Sequence, residues 1–382
     1  MKILHTSDWH LGHSFHGYDR REEQEDMLRQ MEDIVRAEKP DTLLVCGDVF
    51  DVSQPSASVQ KMFVRAVLAL RAAHPDMSIV ITAGNHDSGT RHEIFRTPWQ
   101  ELGVSLIGVI YTEDSFLNHI IEIPGKGYVV AVPYAHERNI PEGFFQGLLD
   151  MVASRNTDGL PVVMSAHTTV EGADFTGHEH ATEFSVGGID GVSIGDMGNG
   201  YDYLALGHIH RPQFVRSANH KARYSGSPLP VGFDEDCRHT VSIVEIASHG
   251  GTPDVREIEI RNPWPVVTLP AEGAVDWERA KKLLEEYPSD EKAYLRLNVE
   301  VDDFLPPGAN DEARKIVEGK ACRLCRINAL RKREASSSAK VFSVEEFKEI
   351  NPVEIARRFV TEDGGNFDSG LEEMLREVMG RV

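Results

Sequence analysis

The sequence predicts an α+β protein. A parallel α/β layer opens the chain, a β-rich stretch follows, and a small α+β domain comes after it. Three observations carry this. Short apolar runs alternate with helical-period segments over residues 2–82, the signature of strand–helix–strand units with parallel pairing. Beyond residue 104 the strand-like runs follow one another closely. At Arg261-Asn-Pro-Trp-Pro265 the composition shifts and a strand–helix pattern begins afresh.

Composition sets the outer bounds. At about 100–200 residues per domain, 382 residues make two or three domains. A hydrophobic share of 41% and a charged share of 26% suit a folded chain. No apolar run approaches the ~20 residues that span a bilayer. His5, Asp8 and His10 stand where a signal peptide needs an apolar core. A cytoplasmic location without a membrane is expected. Four cysteines are too few for a secreted disulfide framework of this length. The net charge of −21 argues against a generic coat on nucleic acid. It does not exclude local binding, and carboxylates attract hard metal ions.

Residues 2–7 read as a short buried strand ending in a loop at Asp8. Residues 22–39 are helical, because Met27, Leu28, Met31, Ile34 and Val35 recur at helical spacing. Pro40 and Asp41 stop that helix, and 42–46 is a second buried strand. A helix over 58–73 and a strand over 78–82 complete the first layer. Strands are then expected at 104–108, 119–123, 128–132, 161–165, 203–206, 240–246 and 255–260. Residues 168–201 are rich in Gly and polar side chains and read as a long functional loop. The small domain should run strand 266–269, helix 275–286, strand 293–301, helix 310–318 and strand 321–329. Ser336-Ser-Ser338 marks a linker, and apolar stripes through Val344, Phe347 and Ile350, then Leu371, Met374, Leu375 and Val378, predict amphipathic helices over 343–382.

Five strings stand out, each directly after an expected strand: Asp8-Trp-His10, Gly47-Asp48, Gly84-Asn-His-Asp87, the lone His167, and Gly207-His-Ile-His210. Ligands gather at the carboxyl ends of strands in such layers. The strings supply Asp8, His10, Asp48, Asn85, His167, His208 and His210 as ligand candidates, with His86 beside them. This mixed N/O set without thiolate suits Mn, Fe or Zn rather than a soft-metal site. Two metals ~3.5–4 Å apart can activate a water and neutralise a phosphoryl group together. Asp48 has two oxygens and could bridge them, Asn85 limits the negative charge, and His86 could face the substrate. A lone Gly-Asp or His-x-His occurs often by chance as loop or core polarity. The ordered set after successive strands does not.

This series resembles the calcineurin-like metallophosphoesterases. The longer strings Ile3-Leu-His-Thr-Ser-Asp-Trp-His-Leu-Gly12, Gly47-Asp-Val-Phe-Asp51, Ala205-Leu-Gly-His-Ile-His210 and Gly226-Ser-Pro228 resemble the SbcD family, bacterial counterparts of the Mre-type double-strand-break nucleases. The resemblance is strong over residues 1–245 and extends only in layout beyond. It implies a four-layer α/β/β/α sandwich holding two Mn ions. Asp8, His10, Asp48 and His210 would hold one, and Asp48, Asn85, His167 and His208 the other, while His86 contacts the scissile phosphate. It also implies a homodimer, built partly from helix 58–73 and residues 91–100. The activity implied is a 3′-to-5′ exonuclease on double-stranded DNA and an endonuclease on single strands and hairpins. The partner implied is an ATPase subunit, SbcC, bound by the C-terminal helices. The domains would be a nuclease domain over 1–261, a DNA-capping domain over 262–333, a linker over 334–342 and helices over 343–382. At position 51 this chain has Asp where some archaeal relatives carry His.

Other readings compete. A small-substrate phosphodiesterase or phosphatase would use the same metals without the basic run over 320–340, which holds seven Lys/Arg and one acid, or the terminal helices. That run could meet DNA phosphates or be a solvated linker. A non-catalytic scaffold should have lost ligands, and none is missing. Cys322 and Cys325, three apart on an expected strand, should face opposite sides, which favours two packed cysteines over zinc. His178 and His180 could add a metal site, or merely loop polarity.

Overall fold

A computed structural model describes residues 1–176 and 191–331. The linker, the terminal helices and the His178/His180 pair lie outside the described residues.

The chain alternates inward and outward apolar residues along each strand, and this alternation builds the layers. In strand Thr42–Cys46, Leu43 and Val45 join one apolar cluster, while Leu44 and Cys46 join another. The same split occurs in strand Ser78–Thr82 between Ile79/Ile81 and Val80. The first six-stranded sheet runs, edge to edge, Asp254–Glu259, Thr240–Glu245, Lys2–Thr6, Thr42–Cys46, Ser78–Thr82, Val104–Ile107. Its last four strands pair in parallel, as the strand–helix alternation predicts. Helices Arg21–Glu38 and Ala57–Ala73 bury Met27, Met31, Val35, Phe63, Val67 and Leu70 on its outer face.

The second six-stranded sheet runs Gln213–Phe214, Ala222–Tyr224, Tyr203–Gly207, Val162–His167, Gly127–Val132, Ile120–Ile123. Its inner face contributes Val129, Ala131, Val163, Tyr203 and Ala205 to the cluster shared with Ile3, Leu44 and Val80. Helix Phe144–Arg155 covers its outer face with Phe144, Phe145, Leu148, Leu149 and Val152. The sequence reading lacks this helix. Its 3.6-residue period is present, but Gly147 inside it weakens the helical signal. The result is helix, sheet, sheet, helix: a four-layer α/β/β/α sandwich.

A third, smaller sheet has three parallel strands, Val266–Leu269, Tyr294–Val301 and Arg323–Arg331. Helices Trp277–Glu286 and Ala309–Val317 cover it, giving a core of Ala280, Leu284, Leu295, Leu297 and Ala313. Asp276 caps the first of these helices by accepting from the Arg279 amide at 2.9 Å. Cys322 joins that core and Cys325 the aromatic cluster on the opposite side, with a register irregularity in the ladder at Cys325. Four residues, Phe15, Phe233, Trp264 and Tyr294, form the buried centre of that aromatic seam between the small module and the sandwich.

Among the described residues no helix is long and apolar enough to cross a membrane.

Candidate metal centre

The five strings all fall at carboxyl ends of parallel strands, three from the first sheet and two from the second. In Asp8-Trp-His10 the middle residue is the anchor. Trp9 is buried in the outer core and its Nε1 donates to Thr6 Oγ1 at 3.1 Å. Ile209 does the same between His208 and His210, buried in the core of the second sheet. An apolar residue pulled one way leaves its two polar neighbours together on the other side.

The loops brace one another through backbone bonds. Asp8 N donates to Gly47 O at 3.0 Å, and His10 N to Asp48 O at 3.0 Å. Asp8, His10, Asp48 and His208 all have positive φ, at 53°, 43°, 49° and 100°. Such backbones cost about 1–3 kcal/mol each and persist only where their surroundings impose them. Two glycines leave the room. A Cβ on Gly47 would stand 2.1 Å from His167 Nδ1, and one on Gly84 2.1 Å from Asp48 Oδ1.

Three donor groups overlap among the described residues. Two lie at the ends: in one, donor atoms of Asp8, His10 and His210 lie within 4.8 Å of one another; in the other, those of Asp48, His167 and His208 do. His10 Nε2 faces His210 Nε2 at 3.2 Å. Asn85 Oδ1 lies 3.0 Å from both His167 Nε2 and His208 Nδ1. Asp48 Oδ2 sits between the groups, 3.9 Å from His10 Nε2 and 3.3 Å from His167 Nε2. All eight residues named from the sequence are therefore gathered at one place. A ring nitrogen of His86 also lies within 4.8 Å of donor atoms of His10 and Asp48. Its Nδ1 donates to Asp51 O at 2.9 Å and its backbone amide to Asp48 Oδ1 at 2.8 Å. Asp8, His10, Asp48 and His167 are buried, while Asn85 and His86 are exposed.

The donor set fits divalent metal ions. His167 Nδ1 donates to Cys46 O at 2.8 Å, and His210 Nδ1 to Glu235 Oε1 at 2.8 Å. Each outer nitrogen thus carries the proton, and the inner nitrogen can present a lone pair, the arrangement that metal-ligating histidines share. Burial opposes charge on His167, but Asp48 beside it lifts the imidazole to about 9; Glu235 does the same for His210, also to about 9. Burial likewise opposes charge on Asp48, yet His167, His10 and His86 hold it well below the usual carboxylate range. A nest of imidazoles and carboxylates that must charge one another is one a cation would satisfy.

Three supporting residues have no role in the sequence reading. Glu235, 25 positions after His210, orients that ring. Asp87 accepts from the amides of Gly84, Val49 and Phe50 at 2.9–3.1 Å and staples the loops carrying Asp48 and Asn85 together. Asp51 receives His86 through its carbonyl and places its carboxylate 3.5 Å from His10 Nδ1. The last two stand inside quoted strings; Glu235 has no local signal.

The calcineurin-like phosphoesterase family model matches residues 1–212. A second model, SbcD_C, described as a Type 5 capsule protein repressor C-terminal domain, matches residues 265–363. Among curated proteins, the SbcD subunit of the SbcCD nuclease from Bacillus subtilis is 33% identical over 80% of this chain and 80% of its own length. Its counterpart from Rhodobacter capsulatus is 31% identical over 72% of each chain. That from Escherichia coli K12 is 26% identical over 83% of this chain and 81% of its own. Both the site strings and the relatives' broad coverage lead to one assignment: the chain is a hydrolase of the calcineurin-like phosphoesterases and belongs to the SbcD family of nuclease subunits.

Proposed function

We propose that this chain is the Mn-dependent nuclease subunit of an SbcCD-type complex. It would act as a 3′-to-5′ exonuclease on double-stranded DNA and as an endonuclease on single strands and hairpins. The observation that carries the reading is the position of Asp48 Oδ2 between two His-rich donor groups, with exposed His86 beside them. Asp8, His10, Asp48 and His210 would hold one metal, and Asp48, Asn85, His167 and His208 the second. Bound together, such ions supply an activated water and neutralise phosphoryl charge. The chain's own part is positional. Asn85 contributes a neutral oxygen, so an anionic diester meets less repulsion. His86, tethered at Nδ1 by Asp51 O, presents its ring at the exposed mouth, where it can steady the scissile phosphate or the leaving oxygen.

The module over 262–333 would cap the site and govern which DNA ends enter. The linker over 334–342 and the helices over 343–382 would join it to the SbcC ATPase. A homodimer is supported by an apolar groove beside helix Ala57–Ala73. It is lined by Val64, Leu68, Phe95, Trp99 and Leu102, and Val64, Leu68, Phe95 and Leu102 are exposed.

The test is cleavage of end-labelled duplex and hairpin DNA with Mn²⁺, with Mg²⁺ and with EDTA, using the full chain with and without SbcC. Bis-p-nitrophenyl phosphate serves as the small diester and His86→Ala as the control. Mn-dependent DNA cleavage that disappears in His86→Ala is the expected result. Cleavage of the small diester alone, even with SbcC present, overturns it in favour of a small-substrate phosphodiesterase.

A further inference from the structure

The segment 227–239 touches the metal centre on one side and the small module on the other. On the inner side, Glu235 Oε1 accepts from His210 Nδ1 at 2.8 Å. Its other oxygen accepts from Val231 N and Ser227 Oγ, each at 3.2 Å. On the outer side, the adjacent Asp234 accepts from Arg296 Nη1 at 2.6 Å. Arg296 belongs to the middle strand of the small parallel sheet, and its Nε is fixed on Thr268 Oγ1 at 3.1 Å. The same guanidinium lies 5.1 Å from the ring of Phe233, which packs on Phe15 at 5.1 Å. From the sandwich side Arg20 donates to Pro230 O at 2.5 Å.

Two consecutive residues, Phe233 and Asp234, are therefore gripped by one arginine of the small module, and the next residue orients a candidate ligand. We propose that Arg296 is a positioning residue for the metal centre: it fixes Glu235 through Asp234 and Phe233, and Glu235 holds His210 in the orientation that a metal requires. This rests on the metal-centre reading above. The case is geometric. The Asp234 side chain is 48% exposed, so as an ion pair the contact adds little stability. What it adds is a fixed direction for the chain entering Glu235. Outer partners of ligating histidines typically change metal affinity ~10–100-fold when lost. The effect is one-sided, because Glu235 touches the ring grouped with Asp8 and His10, not those of His167 and His208. The small module then acts on the reaction through one metal position as well as by capping.

The experiment is a Mn²⁺ titration of the full metal-free chain, with free Mn²⁺ read by its electron paramagnetic resonance signal. The proteins are wild type, Arg296→Ala, Arg296→Lys, Glu235→Gln, the Arg296→Ala/Glu235→Gln double variant, and His210→Ala. Arg296→Ala should weaken one of two Mn²⁺ equivalents ~10-fold and leave the other unchanged. Arg296→Lys should restore most of the loss. The double variant should bind no more weakly than Glu235→Gln alone. Wild-type binding of both equivalents in Arg296→Ala, with only a lowered thermal midpoint, overturns the proposal and leaves Arg296 as glue between modules. Multiplying losses in the double variant overturn it too. If wild type takes up no Mn²⁺, or His210→Ala binds as wild type does, the metal-centre reading itself fails and the proposal falls with it.

Discussion

His167 closes the second sheet's central strand, yet the atom that orients its ring belongs to the first sheet: Nδ1 donates to the Cys46 carbonyl at 2.8 Å. The next two residues after Cys46 are Gly47 and Asp48. One sheet thus aims a candidate ligand of the other and supplies the carboxylate beside it. The contact works only at this closeness.

Gly47→Ala tests that closeness. Gly47 has φ +84°, and an added Cβ would stand 2.1 Å from His167 Nδ1. Overpacking of this kind costs about 1–3 kcal/mol, and the imidazole must turn away. A lower urea midpoint with an unchanged slope, together with weaker Mn²⁺ binding, is expected. A variant equal to wild type in both would show that the seam yields without cost.

Asp48→Asn removes a carboxylate whose Oδ2 lies between the His10 and His167 rings. Both metal equivalents should weaken, at least to the ~100-fold upper end known for outer partners, whereas His208→Ala should spare the equivalent held with Asp8 and His10. Metal content after gel filtration, measured by inductively coupled plasma mass spectrometry, separates the two patterns. Equal, single-site losses in both variants would mean that Asp48 bridges nothing.

Metal binding and protonation should oppose each other. In the metal-free chain, burial works against charge on His210 but Glu235 lifts it from 6.5 to about 9, while Glu235 itself, also opposed by burial, is lowered by His210 from 4.5 to about 2. These are two views of one contact. The raised imidazole gives stability that is whole below pH 6.5 and lost as pH rises through about 9. The depressed carboxylate gives stability that is whole above pH 4.5 and lost as pH falls through about 2. A ligating nitrogen must shed its proton, so Mn²⁺ affinity should climb between about pH 6 and pH 8.5. The gap in thermal midpoint between Mn²⁺ and EDTA samples should widen over that interval. A constant gap would sink the linkage.

Leu68→Glu combined with Phe95→Glu places two carboxylates in the exposed apolar groove beside helix Ala57–Ala73. The mass by light scattering should fall from that of a dimer to that of a monomer of 42.6 kDa. Mn²⁺ uptake should persist, since neither residue belongs to the donor groups. A wild-type monomer, or an unchanged variant dimer, would remove this groove as the interface.

Much of this protein was legible in its sequence. Two of the candidate strings follow a local logic: an apolar residue, Trp9 or Ile209, sinks into a core, and the polar residues on either side are left together. The parallel first layer could be read from the alternation of buried strands and amphipathic helices. Cys322 and Cys325 join different clusters, as their odd spacing predicts, although Cys322 precedes strand Arg323–Arg331 and the ladder shifts register at Cys325. Helix Phe144–Arg155 was harder, because Gly147 weakens its signal and its reason for existing is the open outer face of a sheet assembled from distant strands.

What only the tertiary structure decided is how separate strings became one site. No spacing tells that Cys46 O would meet His167 or that Asp48 Oδ2 would fall between two imidazole groups, since those distances depend on how two sheets stack. Nor does any motif mark Glu235 or Arg296. Their side chains matter through partners 25 and 62 positions away in the chain, His210 and Asp234. Local chemistry wrote the candidate ligands into the sequence. Their orientation is a long-range property, set by hydrogen bonds whose partners meet only after the sheets and the small module have packed.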